Sequence, residues 1–133
     1  MVPQTEKSPS KKTKTAFPDG IGIIYINTNF NNTIITVTDL KGAVVYWSSA
    51  GRCGWKGTRK RTPFAAETVA NDVKKHCIDK HKLKRGVIIV KGVGRGRESA
   101  VRTVLRSGIK ITLLRDVSNY PHNGCRPPNK RRT

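Results

Sequence analysis

Ser48-Ser49-Ala50-Gly51-Arg52-Cys53-Gly54-Trp55-Lys56-Gly57-Thr58-Arg59-Lys60-Arg61-Thr62-Pro63-Phe64 divides the chain into two halves of different periodicity. Before it, apolar residues come in short β-branched runs. After Pro63 they recur at helical spacing. Thr62-Pro63 marks the change, with threonine suited to cap a helix and proline to occupy its first position, where no N–H is needed. Arg52, Lys56, Arg59, Lys60 and Arg61 stand in this stretch with no carboxylate among them. Gly51, Gly54 and Gly57 let the backbone turn sharply or approach another chain closely. Cations beside the free amides of a helix start suit phosphate oxygens. A solvated surface loop is the plain alternative.

Upstream, Ile21 to Asn27 is β-branched and aromatic and predicts a strand. Asn29-Phe30-Asn31-Asn32 follows as a turn, because asparagine tolerates left-handed geometry. Thr33 to Asp39 returns as a second strand, Lys41-Gly42 turns again, and Ala43 to Ser49 gives a third. Connections this short make an antiparallel meander. Downstream, Ala66, Val69, Ala70, Val73 and Cys77 form the apolar stripe of a helix running to about Lys80. Gly86 to Lys91 is a continuous apolar run, which predicts a strand covered on both faces. Gly92-Val93-Gly94-Arg95-Gly96-Arg97 is a second glycine-basic loop. It leads into a helix from about Glu98 that is expected to bury Ala100, Val101, Val104 and Leu105, with Gly108 closing it. Ile109, Ile111 and Leu113 alternate with Lys110 and Thr112 in a last strand.

This order predicts an α/β sandwich, a mixed five-stranded sheet flanked by two helices, over residues 17–117. Residues 1–16 are polar and lysine-bearing and read as a disordered basic arm. Residues 118–133 lose all periodicity and form a basic, proline-stiffened tail.

Charge limits the function more sharply than size does. The 133 residues carry a net charge of +19. Self-repulsion of that order calls for a polyanionic partner, with nucleic acid first. A membrane is a poor fit, since no apolar run approaches the ~20 residues that span a bilayer. Cys53, Cys77 and Cys125 are widely spaced, show no C-x-x-C pair, and point to reduced thiols. Met1 to Ser10 holds no apolar segment of the secretory kind.

The loop from Lys91 to Arg97 joins a strand's carboxyl end to a helix start, where open α/β sheets bind ligands. Gly92, Gly94 and Gly96 do not match the dinucleotide spacing, and no Gly-Lys-Ser/Thr follows, so a phosphate of a polymer is the expected ligand. No small-molecule substrate and no cofactor are expected. A metal-dependent nuclease needs converging carboxylates; Asp39 and Asp116 read instead as strand-end turn residues. Cys77 with His81, and His122 with Cys125, lack a third orienting group, so neither catalysis nor a metal site is expected. Tyr46, Trp47 and Phe64 are expected in the core. Trp55, set among glycines and cations, could stack on a base or pack under its own loop, with packing preferred. So few exposed rings fit folded RNA, read by shape and phosphate, better than serial stacking on a single strand.

Phe30-Asn31-Asn32-Thr33-Ile34, Trp47-Ser48-Ser49-Ala50-Gly51, Lys56-Gly57-Thr58-Arg59 and Thr62-Pro63-Phe64-Ala65-Ala66 closely resemble the bacterial-type family of ribosomal small-subunit protein eleven. So do Val90 to Arg97, Arg106-Ser107-Gly108-Ile109 and the tail from His122 to Arg132. The resemblance runs in order from Gly20 to Thr133. It departs at Gly94-Arg95-Gly96, where the family usually has Gly-Leu-Gly, and in the lysine-rich segment Asn71 to Lys84.

The resemblance implies a ribonuclease-H-like sandwich without nuclease activity, on the platform of the small ribosomal subunit. There it would bind small-subunit rRNA, lie near the messenger RNA exit path and touch small-subunit proteins seven, eighteen and twenty-one. Trp47-Ser48-Ser49 looks like the plastid members, implying the plastid stroma, with the bacterial cytoplasm or the mitochondrial matrix as the alternative. The rival function is an RNA-binding regulatory module outside the ribosome. RNA contacts are expected from Asn31, Asn32, Arg52, Lys56, Gly57, Arg59, Lys60 and Arg61. A second set is Lys91, Gly92, Gly94, Arg95 and Arg97, and a third is His122, Asn123, Arg126, Lys130, Arg131 and Arg132.

Overall fold

The computed structural model describes Phe17 and residues 19–133; the expected arm, 1–16, lies outside the described residues. Strands β1 (Ile21–Thr28), β2 (Thr33–Thr38) and β3 (Val44–Ser49) form the meander. Helix α1 (Pro63–Lys74) runs on into a wider, π-wound turn at Lys75–Lys80. Strand β4 (Arg85–Lys91), helix α2 (Arg97–Leu105) and strand β5 (Lys110–Asp116) complete the chain. The sheet order is β3-β2-β1-β4-β5, antiparallel through β1–β2–β3 and parallel for β1–β4–β5. No helix among the described residues is long and apolar enough to cross a membrane.

Both helices lie side by side on one face of this sheet, α1 over β2 and β3 and α2 over β1 and β4. Ile24, Ile26, Ile35, Val37 and Ile88 point into that layer and are fully buried. Each such side chain contributes about 1.5–3 kcal/mol relative to leaving it in water. Ala65, Ala66, Ala70 and Ala100 are also buried, and their small side chains let the two helices approach closely. Gly22 has a similar role in β1: a Cβ there would lie 2.7 Å from the ring of buried Phe17. Cys77 is fully buried, as its place on the apolar stripe predicts.

The one-sided layering corrects the expectation that β4 is covered on both faces. Val87 and Ile89 are only half-buried, on the face without helices. The run is apolar because β-branched residues suit a central strand, and burial on both sides is not needed for that.

Two aromatic assignments also change. Trp47 lies on the helix-free face and Phe64 is 64% exposed in the first turn of α1, whereas Tyr46 is half-buried against the core as expected. Leu105, the last residue of α2, is 48% exposed, while the helix buries Ala100 and Val104. Leu113 is displaced by a bulge: Gly86 pairs with Ile111 but Val87 pairs with Leu113, so Thr112 is skipped and the alternation flips.

Candidate nucleic-acid interface

Strand direction decides where the charges meet. β1, β4 and β5 are parallel and end at the same edge, β2 begins there, and β3 returns to it. Four connections therefore leave from one edge of the sheet. They are the Asn29–Asn32 turn, the loop from Ala50 to Thr62, the Gly92–Gly96 loop and the tail after Asp116. Segments far apart in sequence become neighbours, and each of the expected RNA contacts belongs to one of them or to a residue beside them.

Asn29 organises the first connection. Its Oδ1 accepts the N–H groups of Asn31 (2.9 Å) and Asn32 (2.7 Å), and its own N–H donates to the Asn32 carbonyl at 3.1 Å. Asn32 Oδ1 accepts the N–H of Thr33 at 2.8 Å. The exposed side chain of Asn31 is thus held outward on a fixed turn. The turn is expected from asparagine's tolerance of left-handed geometry, but none of its residues has positive φ; Asn29 makes it instead as the first residue of an Asx turn.

The Gly92–Gly96 loop rests directly on that turn. A Cβ on Gly92, whose φ is +88°, would lie 2.0 Å from the Thr28 carbonyl oxygen. One on Gly94 would lie 2.3 Å from the Asn29 carbonyl oxygen, and one on Gly96 would meet Thr33 Oγ1 at 2.6 Å and Ala66 Cβ at 2.7 Å. These bare positions face protein, and Arg95 between them is left exposed.

In the Ala50–Thr62 loop the cations divide by role. The Arg52 guanidinium donates to the Trp47 carbonyl at 2.8 Å and lies over the rings of Tyr46 and Trp47, 5.2 and 4.9 Å from their centroids. It folds back along the β3 edge. Tyr46 in turn stacks on His76, with centroids 4.3 Å apart, and donates to Asp72 at 2.8 Å. Burial, then that hydrogen bond, pushes the Tyr46 phenol up to about 12. Burial alone would raise Asp72, but donors Ser48 and Tyr46, with His76 and Arg52 nearby, hold its carboxyl below the usual range.

The remaining cations face outward. Gly57–Arg61 forms a 3-10 turn with no buried residue, and Lys56, Arg59 and Arg61 are exposed while Lys60 is half-buried. Thr62 caps α1 by accepting the Ala65 N–H at 3.3 Å, with Pro63 in the first helical position. Trp55 is half-buried and meets Phe64 edge-on at 5.5 Å, so it packs beneath its own loop. Cys53, Trp55, Lys56, Arg59, Phe64 and Thr68 line a groove of about 610 Å³.

A lock joins the other two connections. Arg97 reaches Asp116 at 2.5 Å and also donates to the Gly92 carbonyl at 2.8 Å. Asp116 accepts the N–H and hydroxyl of Ser118, and the Gly92 N–H donates to Ser118 Oγ at 3.1 Å. The Arg97 hydrogen bond is the chief reason the Asp116 carboxyl is pulled down to about 2. Arg97, expected from sequence to face phosphate, is thus turned inward and its charge compensated. Beyond this lock the tail is fully exposed, including His122, Asn123, Arg126, Lys130, Arg131 and Arg132. Lys91, at the end of β4, is exposed on the helix-free face. Among the described residues, no three ligating side chains gather as a metal site needs.

The sequence model of the family described as ribosomal protein S11 matches residues 22–132. The chain belongs to that family. It is 49% identical to the small ribosomal subunit protein uS11c of Mesostigma viride over 132 residues, 99% of each chain. Its likeness to the protein of that name from Tupiella akineta is 50%, again over 99% of each. With that from Pinus thunbergii it is 54% over 111 residues, 84% of this chain and 85% of the relative. The S11 match begins inside β1 and runs through the tail, so it takes in all four connections at the charged edge. The family is ribosomal, and the chain is accordingly a structural protein and not an enzyme.

Proposed function

We propose that this S11-family chain is a structural constituent of the small ribosomal subunit that binds small-subunit rRNA through the charged edge of its sheet. The observation that carries the reading is the convergence of the Asn29–Asn32 turn, the Lys56–Arg61 segment, Arg95 and the basic tail at one edge. Lys56, Arg59, Lys60, Arg61, Arg95, Arg126, Lys130, Arg131 and Arg132 neutralise phosphates, while Asn31 and Asn123 offer hydrogen bonds. Arg52 and Arg97 shape the loops that carry them. The site is on the platform near the messenger RNA exit path, beside small-subunit proteins seven, eighteen and twenty-one. The compartment is the plastid stroma, a reading supported by the uS11c names of the relatives.

Salt titration against a small-subunit rRNA fragment tests the mode of binding. With about 6–10 phosphates contacted, affinity falls by roughly 10³–10⁵ between about 50 and 200 mM salt. A nearly flat titration rejects the phosphate-driven mode. Gradient sedimentation tests the assembly, since a chain that stays at the top and never enters the small-subunit peak is a free RNA-binding module instead.

A further inference from the structure

The face of the sheet opposite the helices has no layer over it among the described residues. Across it, Trp47 of β3 lies opposite Thr36, Thr36 opposite Tyr25, Tyr25 opposite Ile89 and Ile89 opposite Arg115. The next row brings Val44, Ile23, Val87 and Leu113 onto the same face. Val44 is 58% exposed, Trp47 47% and Leu113 52%. Ile23, Val87 and Ile89 are half-buried, yet none of them packs against the core cluster. Apolar side chains thus stand side by side on β1, β3, β4 and β5, with Thr36 and Thr38 of β2 between them, rather than singly.

Charge at the strand positions of this face is one-sided, although the Arg52 guanidinium of the following loop lies over Trp47. Arg85 and Lys91 of β4 and Lys110 and Arg115 of β5 stand on it, whereas β1, β2 and β3 contribute apolar or neutral side chains. Among the described residues, no strand position of this face is acidic. We infer that this face docks an amphipathic helix of a partner protein. Its apolar side lies across the row from Trp47 to Leu113, and its carboxylates meet Arg85, Lys91, Lys110 and Arg115 at the flanks of that row.

Three considerations select that occupant. Phosphates and base edges gain nothing from aliphatic Ile23, Val87, Ile89 and Leu113, which an apolar side chain can cover. A second copy of this chain would bring another net +19 against the same cations. The width also fits: five strands at ~4.8 Å spacing span about 19 Å, the length of a helix of about 13 residues at ~1.5 Å per residue. The inference rests on the ribosomal reading only for where the partner is met. The surface meets the charged edge at Lys91 and otherwise lies apart from it.

The test places a benzophenone-bearing phenylalanine analogue at position 25, in place of Tyr25, in the full chain. Small subunits are then assembled, irradiated and mapped by peptide mass spectrometry. Entry into the particle is read separately by co-sedimentation, so a chain that fails to enter counts against the ribosomal reading and is scored there. In particles that contain the chain, the expected cross-link is to a protein segment with apolar residues at helical spacing and flanking Asp or Glu. The pair Lys110→Glu and Arg115→Glu is expected to lower its yield about fivefold while co-sedimentation is kept, as for loss of rim charge complementarity. Cross-links only to RNA, to a second copy or to residues 1–16 overturn the inference. So does the lack of any protein cross-link from such particles, or a yield indifferent to the charge reversal.

Discussion

The Arg97 guanidinium sits 2.5 Å from the Asp116 carboxylate, across the gap between the start of α2 and the end of β5. Through Ser118 and the Gly92 amide this contact ties the root of the tail to the glycine loop that rests on the Asn29–Asn32 turn. An exposed ion pair adds little to global stability, so Asp116→Asn is expected to leave the melting temperature nearly unchanged. It removes the strong acceptor, and the tail then pays its own ordering cost when RNA binds. Hydrogen exchange at Ser118 should quicken, and rRNA affinity should fall about fivefold. The swap Arg97→Asp with Asp116→Arg should recover part of it. Because the Asp116 carboxyl is lowered, to about 2, its contribution is present above the usual carboxylate range and lost only as pH falls toward that value. The lock is therefore closed at neutral pH.

The thiols differ enough to be told apart chemically. Cys77 is buried on the π-wound turn that continues α1, and burial, then Asp72, pushes its thiol from 9.0 up to about 12. Cys125 is exposed in the tail and Cys53 is half-buried. Iodoacetamide on the native chain should modify Cys125 first, Cys53 more slowly and Cys77 only with unfolding. Raised values in the folded state mean stability that is intact below pH 9.0 and is lost as pH rises toward about 12, with Tyr46 adding to the loss above its ordinary 10.0. Urea midpoints should hold at neutral pH and decline through this alkaline range. Cys77→Ala should flatten the lower part of that decline.

Asn123 and Gly124 are both exposed and both have positive φ, +69° and +39°. Nothing on Gly124 shields its amide, which can attack the Asn123 side-chain carbonyl carbon and release ammonia to give a succinimide. Hydrolysis then yields aspartate or isoaspartate at position 123. Peptide mass spectra of aged protein should show deamidation there ahead of every other asparagine, and Gly124→Val should slow it. Unmodified Asn123 after prolonged incubation would refute the expectation.

Much of the scaffold could be read from residue types alone. Thr62-Pro63 marks the helix start, the Asn29–Asn32 turn and its flanking strands follow from local chemistry, and Cys77 falls on the buried stripe. Strand order and sidedness are not local properties. The run Gly86 to Lys91 looks the same whether one face or two are covered, and only the placement of both helices on one side decides it. The bulge at Thr112 likewise flips Leu113 outward without a mark in the sequence. At the charged edge the cations were legible, but their roles were not. Arg97 and Arg52 carry the same charge as Arg95 and Arg59, and only the folded chain supplies Asp116 to one and the rings of Tyr46 and Trp47 to the other.

The glycines of the second loop give the sharpest separation between folding and binding. If Gly94 were bare only to admit a phosphate, Gly94→Ala would weaken RNA binding and leave the unfolding free energy alone. Instead its Cβ would fall 2.3 Å from the Asn29 carbonyl oxygen, a backbone atom that cannot rotate away. Gly94→Ala is therefore expected to cost about 1–3 kcal/mol or more, as overpacking does, and to displace the Asn29–Asn32 turn with it. Gly57 offers the contrast: its φ is +58° but no atom lies within 4 Å of a built Cβ. Gly57→Ala should cost only the left-handed penalty, about 1–2 kcal/mol, with no shift in the turn. Urea unfolding of both variants, with exchange rates at the Asn31 and Asn32 amides, separates the two. Equal unfolding costs with both amides undisturbed would show that the loop does not bear on the turn at all.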